Sequence, residues 1–543
     1  MKTRARPYTA HVDSFARDNL PPRGQWPELV FDTPEVRYPA RLNCVVELLD
    51  RMVAAGHGER AAIRSPAGAL TYRALLTLVN RIAHVLREDL GLVPGNRVLL
   101  RGANNPMMAA CWLAVVKAGC IAVATMPLLR AKELKPVIDK AQCNAALCDA
   151  NLKDEMELAR AQSPRLAATL YFNTDAVGAL DTLAAGKPAR FPAVKTAADD
   201  VCIIAFTSGT TGVPKGTMHF HRDVMAICDC FPRSCLRPGP DDVFCGTPPL
   251  AFTFGLGGLL VFPMRFGAST LLLEKLTPTA LLSAIEQYRP TICFTAPTFY
   301  RQMAAVAFDY DIASLQKCVS AGEPLPLPTR QSWEKETGIQ LIDGIGATEM
   351  LHIFISAAGE DIRPGATGRP IPGYRACVLD EHGDPSPPGV VGRLAVKGPT
   401  GCRYLADERQ KNYVHNGWNL TGDAYLVDHD GYYWYQARTD DMIISSGYNI
   451  AGPEVESALL LHPAVAECGV VGAPDEERGQ IVKAFVVLKK DYAPGPEMAR
   501  GLQEFVKQSI APYKYPRAVE FRDALPRTET GKLQRFRLRE PSS

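Results

Sequence analysis

The chain has 543 residues, too many for one hydrophobic core, so at least two domains are expected. Lys and Arg number 60 against 58 Asp and Glu, which leaves no basic excess to hold a nucleic acid or an acidic membrane surface. With 47% hydrophobic and 22% charged residues, the composition is that of an ordinary soluble globular protein.

The start, Met1-Lys2-Thr3-Arg4-Ala5-Arg6-Pro7, is basic, but no apolar signal core follows it. Arg97-Val98-Leu99-Leu100 reads as a short strand. Met107 to Met126 is membrane-like in hydropathy, yet it carries Lys117 and Gly119 and closes on Pro127. A helix to about Lys117 followed by a buried strand, Cys120 to Thr125, fits it better than a span. Lys132 to Gln142 reads as a helix with Pro136 tolerated only near its start. Ala145-Ala146-Leu147-Cys148 and Val201-Cys202-Ile203-Ile204-Ala205-Phe206 read as buried strands. Gly257 to Phe262, Thr270 to Leu273 and Thr291 to Thr295 continue the theme, with a helix over Leu281 to Tyr288. This alternation predicts an α/β fold of βαβ units on parallel sheets. Pro324-Leu325-Pro326-Leu327-Pro328 is a loop leading into a helix. From about Arg375, as in Val378-Leu379-Asp380 through Val396, shorter strands with Gly and Pro turns take over. After Asp440 a compact unit is expected: helix Pro453 to Leu461, strands Gly469 to Gly472 and Lys483 to Leu488, helix Pro496 to Ser509. The 15 cysteines show no paired framework. Neither Cys228-x-Cys230 with Cys235 nor Cys143 with Cys148 has zinc-ligand spacing, so free thiols in a reducing cytoplasm are expected.

Four runs carry chemistry. Thr207-Ser208-Gly209-Thr210-Thr211-Gly212-Val213-Pro214-Lys215-Gly216 packs hydroxyls, glycines and one ammonium into a loop after a buried strand. Backbone N–H groups in such a loop form a nest suited to a polyphosphate. It is not a Walker loop, which needs Gly-Lys-Ser/Thr in succession. Gly344-Ile345-Gly346-Ala347-Thr348-Glu349 lets backbone approach a ligand and ends on a hard oxygen donor fit for Mg²⁺. In Thr421-Gly422-Asp423 the carboxylate can accept both hydroxyls of a ribose, and Arg438 follows fifteen residues later; alone, this is a common turn. Pro526-Arg527-Thr528-Glu529-Thr530-Gly531-Lys532 holds a lysine that would ordinarily be a solvated charge.

Together these runs resemble the adenylate-forming superfamily of acyl-CoA synthetases, luciferases and peptide-synthetase adenylation domains. The resemblance implies a large N-terminal domain, 1–439, of βαβ-layered sheets plus a small β subdomain. A small mobile α+β domain, 440–543, would turn on a hinge at Asp440. It implies that Thr207, Ser208, Gly209, Thr210, Thr211 and Lys215 hold phosphates, and that Gly322, Glu323, Gly344, Gly346 and Thr348 line the nucleotide. Glu349 would help bind Mg²⁺, Asp423 the ribose, and Arg438 the nucleotide. Lys532 would be the adenylation lysine, and Gly447 would leave room for a pantetheine arm. The implied reaction joins ATP and an acid into an acyl adenylate, which a thiol then attacks. The sequence ends shortly after Lys532, so coenzyme A is expected as acceptor.

Within the family, Ser320-Ala321-Gly322-Glu323-Pro324-Leu325-Pro326, Thr348-Glu349-Met350-Leu351-His352-Ile353-Phe354 and Ala511-Pro512-Tyr513-Lys514-Tyr515-Pro516-Arg517 resemble benzoate-type CoA ligases. Met218-His219-Phe220-His221-Arg222-Asp223 and Asp13 to Pro21 resemble 2-aminobenzoate ligases. Leu250-Ala251-Phe252-Thr253-Phe254-Gly255 lacks the aspartate that amino-acid-activating relatives use. Phe252, Phe254, Thr298, Tyr300, Gly322 and His352 are the candidates for a flat apolar slot. His352, His219 and His221 are each as readily core histidines. A carrier-loading or light-emitting adenylating enzyme, another small aryl or medium-chain acid, and a non-catalytic adenylate sensor stay open. So does a homodimer.

Overall fold

The computed structural model describes residues 8–207, 214–439, 441–445, 448–475, 478–527 and 533–539. A six-stranded sheet runs in the order Ala168–Phe172, Ala145–Asp149, Arg97–Arg101, Ile121–Thr125, Val201–Thr207, Lys215–Phe220. Its neighbours are parallel except the last two, which form a hairpin. Arg97–Arg101 and Ala145–Asp149 are buried along their whole length, as expected for parallel strands covered on both faces.

A nine-stranded sheet holds Val243–Gly246, Ile292–Thr295, Lys317–Ser320 and Leu341–Gly346 as adjacent parallel strands. Antiparallel Ile353–Ser356 and Arg369–Pro370 extend one edge. The two sheets share one core, filled by helices Pro106–Lys117 and His221–Phe231. The first starts on an Asn105 cap whose side chain accepts the Met108 amide at 2.9 Å, with Pro106 in its opening position. Every residue from Met108 to Lys117 in it is buried, which explains its membrane-like hydropathy. Lys117 pairs with Asp50 at 2.6 Å. Among the described residues no helix is long and apolar enough to cross a membrane.

A third, five-stranded antiparallel sheet joins Arg375–Leu379, Gly392–Lys397, Trp418–Val427, Val414–His415 and Tyr433–Arg438. The fourth comprises Ile443–Ser445, Tyr448–Ile450, Val465–Asp475, Gly479–Leu488 and Ala518–Phe521. Helices Gly452–Leu459 and Pro496–Ser509 bury Val455, Leu459, Leu502 and Val506 against this last sheet, in a core of its own.

Two expectations are corrected. Gly257 to Phe262 is not a strand but the middle of a helical run over 253–265. A short apolar run has no periodicity to separate buried helix from buried strand. Here close packing decides: a Cβ on Gly257 would lie 2.3 Å from His352 Cδ2, and one on Gly258 2.6 Å from the Phe294 ring. Pro136 lies in the interior of helix Ala131–Ala141, beyond the first turn where its missing N–H would cost nothing.

Truncating the shared core should destabilise the chain. Leu113→Ala is expected to cost about 2–5 kcal/mol, read as a lower thermal midpoint for the unfolding of the first two sheets.

Candidate active site

The hairpin pairs Thr207 with Lys215 at its loop end, flanking the candidate phosphate loop. A third segment, 403–405, lies against the second strand. The Met218 amide donates to the Arg403 carbonyl, and the Leu405 amide to the Gly216 carbonyl, both at 2.8 Å. Tyr404 is thereby set beside Lys215, whose ammonium is 3.3 Å from the phenol oxygen and 5.2 Å from the ring centre. The Tyr404 hydroxyl donates to Glu349 Oε1. Burial, then the charge of Glu349, pushes the Tyr404 phenol far above its ordinary range, so it stays a donor.

Behind this contact, the buried Arg403 guanidinium pairs with the buried Asp223 carboxylate and stacks 4.0 Å over Phe220. Burial works to raise the Asp223 carboxyl, but Arg403 and then His219 outweigh it and hold it below its usual range. His219 Nδ1 lies 3.7 Å from the same carboxylate, and its Nε2 donates to the Thr348 carbonyl at 2.8 Å. His219 therefore ties the hairpin to the Thr348-Glu349 turn.

That turn follows strand Leu341–Gly346. A Cβ on Gly346 would come within 2.9 Å of the His352 carbonyl, so only glycine lets the returning backbone pass. Leu351 is buried with φ +68°, a left-handed conformation uncommon for such a side chain. The Thr400 hydroxyl donates to the Met350 carbonyl at 2.8 Å and closes the turn. Glu349 is 8% exposed, with Oε1 taken by Tyr404 and no hydrogen bond among the described residues on Oε2. A carboxylate whose second oxygen has no hydrogen bond among the described residues, and which shares the Tyr404 hydroxyl with Lys215, fits Mg²⁺, which keeps several waters and takes few protein ligands.

The carboxyl ends of the four adjacent parallel strands in the larger sheet lie on one edge, the usual place for ligands in such sheets. The residues that follow them are Pro248 to Phe254, Pro297-Thr298, Ala321 to Glu323, and Thr348-Glu349. The Thr298 hydroxyl donates to Glu323 at 2.8 Å. Gly322 is exposed and takes φ +89°. Half-buried Phe254 packs 5.6 Å from Phe294 and 5.7 Å from His352, and half-buried Phe252 opens its helix. His352 is enclosed by Phe231, Phe254, Phe262 and Phe294, with ring centres 4.5–6.5 Å away. Neither of its ring nitrogens has a hydrogen-bond partner among the described residues, and burial pushes its pKa down to about 3.

Tyr300 is corrected as a slot residue. It is fully buried, donates to the backbone carbonyls of Cys293 and Val319 at 3.1 Å, and packs against Trp333. Its helix, Pro297–Ala304, turns Thr298 toward Glu323 and Tyr300 into the core behind the sheet. Asp423 and Arg438 are cross-strand partners, joined at 3.0 Å. Gly422 takes φ +78°, and the Arg438 guanidinium occupies the place its Cβ would fill, 2.5 Å away. Ser208, Gly209, Thr210, Thr211, Asp440, Gly447 and Lys532 lie outside the described residues.

Sequence reasoning missed Arg403, Tyr404 and Asp223, whose partners are far off in the chain (180 positions for Arg403 and Asp223) and left no spacing signal. It also missed Asp343, inside strand Leu341–Gly346 just before Gly344. Burial pushes that carboxyl up to about 7, against the pull of Arg330 and the Gly344 amide. A third cluster joins Cys44, Cys202 and His221, with candidate ligand atoms within 4.8 Å of one another. His221 Nδ1 already accepts the Cys44 amide at 3.3 Å, so the group is a thiol–imidazole contact in the core.

A family model described as AMP-binding enzyme matches residues 51–404, and the AMP-binding enzyme C-terminal domain matches residues 454–532. The benzoate–CoA ligase of Thauera aromatica is 36% identical over 515 residues, covering 93% of this chain and 97% of that protein. The crystal structure of the anthranilate CoA ligase AuaEII with anthranoyl-AMP superposes with TM-score 0.88 at 33% identity, covering 92% of this chain and 97% of that one. A benzoate CoA ligase from Burkholderia xenovorans LB400 gives TM-score 0.84 at 31% identity, covering 92% and 100%. The chain belongs to the AMP-binding enzyme family.

Asp343 yields a pH dependence. Its carboxyl titrates at 3.8 when unperturbed and at about 7 when folded, so folding stability is fully present below 3.8 and falls as pH rises through that window. Asp343→Asn removes the dependence. The variant should melt above wild type at pH near 8, with the gap narrower at pH near 5 and closed only near 3.8.

Proposed function

We propose that this AMP-forming acid–thiol ligase joins a small aromatic carboxylate, 2-aminobenzoate or benzoate, to coenzyme A. The observation that carries the reading is that Phe252 and Phe254, Thr298, Gly322 and Glu349 all follow the carboxyl ends of adjacent parallel strands at one sheet edge, with Phe254 packed on Phe294 and Thr298 bonded to Glu323, a mix of aromatic and few polar groups that suits a small aryl acid. Relatives named for benzoate and anthranilate support the substrate class.

An oxygen of the aryl carboxylate attacks the α-phosphorus of ATP. The bond to the β-phosphate breaks, pyrophosphate leaves, and an aryl adenylate remains. The coenzyme A thiol then attacks the acyl carbon, the acyl–phosphate bond breaks, and AMP leaves as the thioester forms. Positioning and charge do most of the first step. The loop between Thr207 and Lys215 holds phosphates through its amides and hydroxyls, and the Lys215 ammonium offsets their charge. Glu349, oriented by Tyr404, would hold Mg²⁺, which supplies charge neutralisation on the leaving phosphates. Asp423 takes the ribose hydroxyls and Arg438 the nucleotide. Lys532 bridges the acid and the α-phosphate. Asp440 acts as hinge, and Gly447 admits the pantetheine arm. His352, held neutral by burial and with no side-chain hydrogen-bond partner on either nitrogen among the described residues, is the candidate to meet the ring substituent. The enzyme would act in the cytoplasm with Mg²⁺.

Pyrophosphate release with ATP, Mg²⁺ and coenzyme A tests the reading across benzoate, 2-aminobenzoate, hydroxybenzoates, phenylacetate and a medium-chain fatty acid. Turnover is expected with the benzoates, 2-aminobenzoate best. Lys532→Ala should reduce it by at least about 100-fold, as for loss of a group that stabilises transition-state charge. A fatty acid as preferred substrate overturns the aryl assignment, and release without thioester overturns coenzyme A as acceptor.

A further inference from the structure

Glu467 and Arg527, on the C-terminal sheet and just beyond it, meet Arg301 and Glu323 of the larger sheet's edge in a chain of alternating charge. Arg301 Nη2 lies 3.5 Å from Glu467 Oε1. Glu467 Oε2 accepts from Arg527 Nη2 at 3.0 Å, and Arg527 Nη1 lies 3.6 Å from Glu323 Oε1. Glu323 in turn accepts the Thr298 hydroxyl on its other oxygen. Thr298 and Arg301 are three residues apart on helix Pro297–Ala304, so they share one helix face, Thr298 bonded to Glu323 and Arg301 facing Glu467. A register shift between Val465 and Glu467 marks a bulge just before Glu467, which pairs with Val487. All four side chains are only 16–26% exposed.

We infer that Arg527 and Glu467 are positioning residues for the first half-reaction: the ladder docks the C-terminal domain with the chain beside Lys532 held at the acyl and nucleotide rim. Arg527 is joined to Leu533 by an antiparallel bridge. Lys532 lies five positions after Arg527, and at about 3.5 Å per residue it cannot stray more than roughly 18 Å from it. Tethering Arg527 to Glu323 therefore also tethers Leu533, the residue that follows Lys532 in the sequence. With the C-terminal domain turned on its hinge for thiol transfer, as the family resemblance implies, the ladder is broken and transfer gains nothing from it. The inference rests on the ligase reading above.

Measuring the two half-reactions separately tests it. Adenylation is followed as acid-dependent exchange of labelled pyrophosphate into ATP, and transfer as thioester formation from synthetic 2-aminobenzoyl-AMP and coenzyme A. Glu467→Gln, Arg527→Ala and Arg301→Gln should slow exchange about threefold to tenfold and leave transfer within about twofold, the range of partly exposed ion pairs. Arg527→Lys should recover part of the loss, and added salt should slow exchange in wild type while narrowing its lead over the variants. Equal slowing of both half-reactions, slowing of transfer alone, or no slowing, with wild type exchanging normally, overturns the ladder. Wild type that exchanges pyrophosphate with no aryl acid overturns the ligase reading itself, a separable result.

Discussion

The contact on which the rest of the candidate site depends is the buried ion pair of Arg403 with Asp223. Arg403 comes from a segment that pairs with the phosphate-loop hairpin, and Asp223 from the first turn of the helix that follows that hairpin. With the pair in place, Tyr404 faces Glu349 and His219 faces Thr348, so two motifs on different sheets share one set of supports. Charge, hydrogen bond and backbone register all act on the same few residues.

Such a pair contributes little net stability. Taking two charges out of water costs several kcal/mol each, and their attraction repays this only with good geometry and further hydrogen bonds. Asp223 has those bonds: its carboxylate also accepts the Phe220 amide at 3.0 Å and lies beside His219. What the pair adds is a single allowed arrangement, because removing either partner strands a buried charge. A phosphate site benefits from that rigidity, since donors fixed beforehand need no reorganisation when charge develops.

Much of the architecture was legible in the sequence. The buried strand before the phosphate loop, the helix–strand unit behind the Met107 to Met126 run, and the helices of the C-terminal unit follow from composition, caps and prolines acting locally. The Gly257 to Phe262 run was misread because all its faces are buried, and a run apolar on every side shows no period. Tyr300 was misassigned for a related reason. Its neighbour Thr298 points to the rim, while the helix turn between them sends the phenol into the core. Arg403, Tyr404 and Asp343 were not legible, because their environments are made by strands distant in sequence. Family resemblance named the site residues by motif; only the fold shows which of the described ones share a wall.

Native-state hydrogen exchange on the intact protein tests the shared support most directly. The amides of Met218, Leu351 and Leu405 belong to three segments that the Arg403 network joins, and they should open with a common free energy and gain protection together when ATP is added. Independent exchange, with Leu405 opening well before Met218 and Leu351 and unaffected by nucleotide, would contradict a single supporting network.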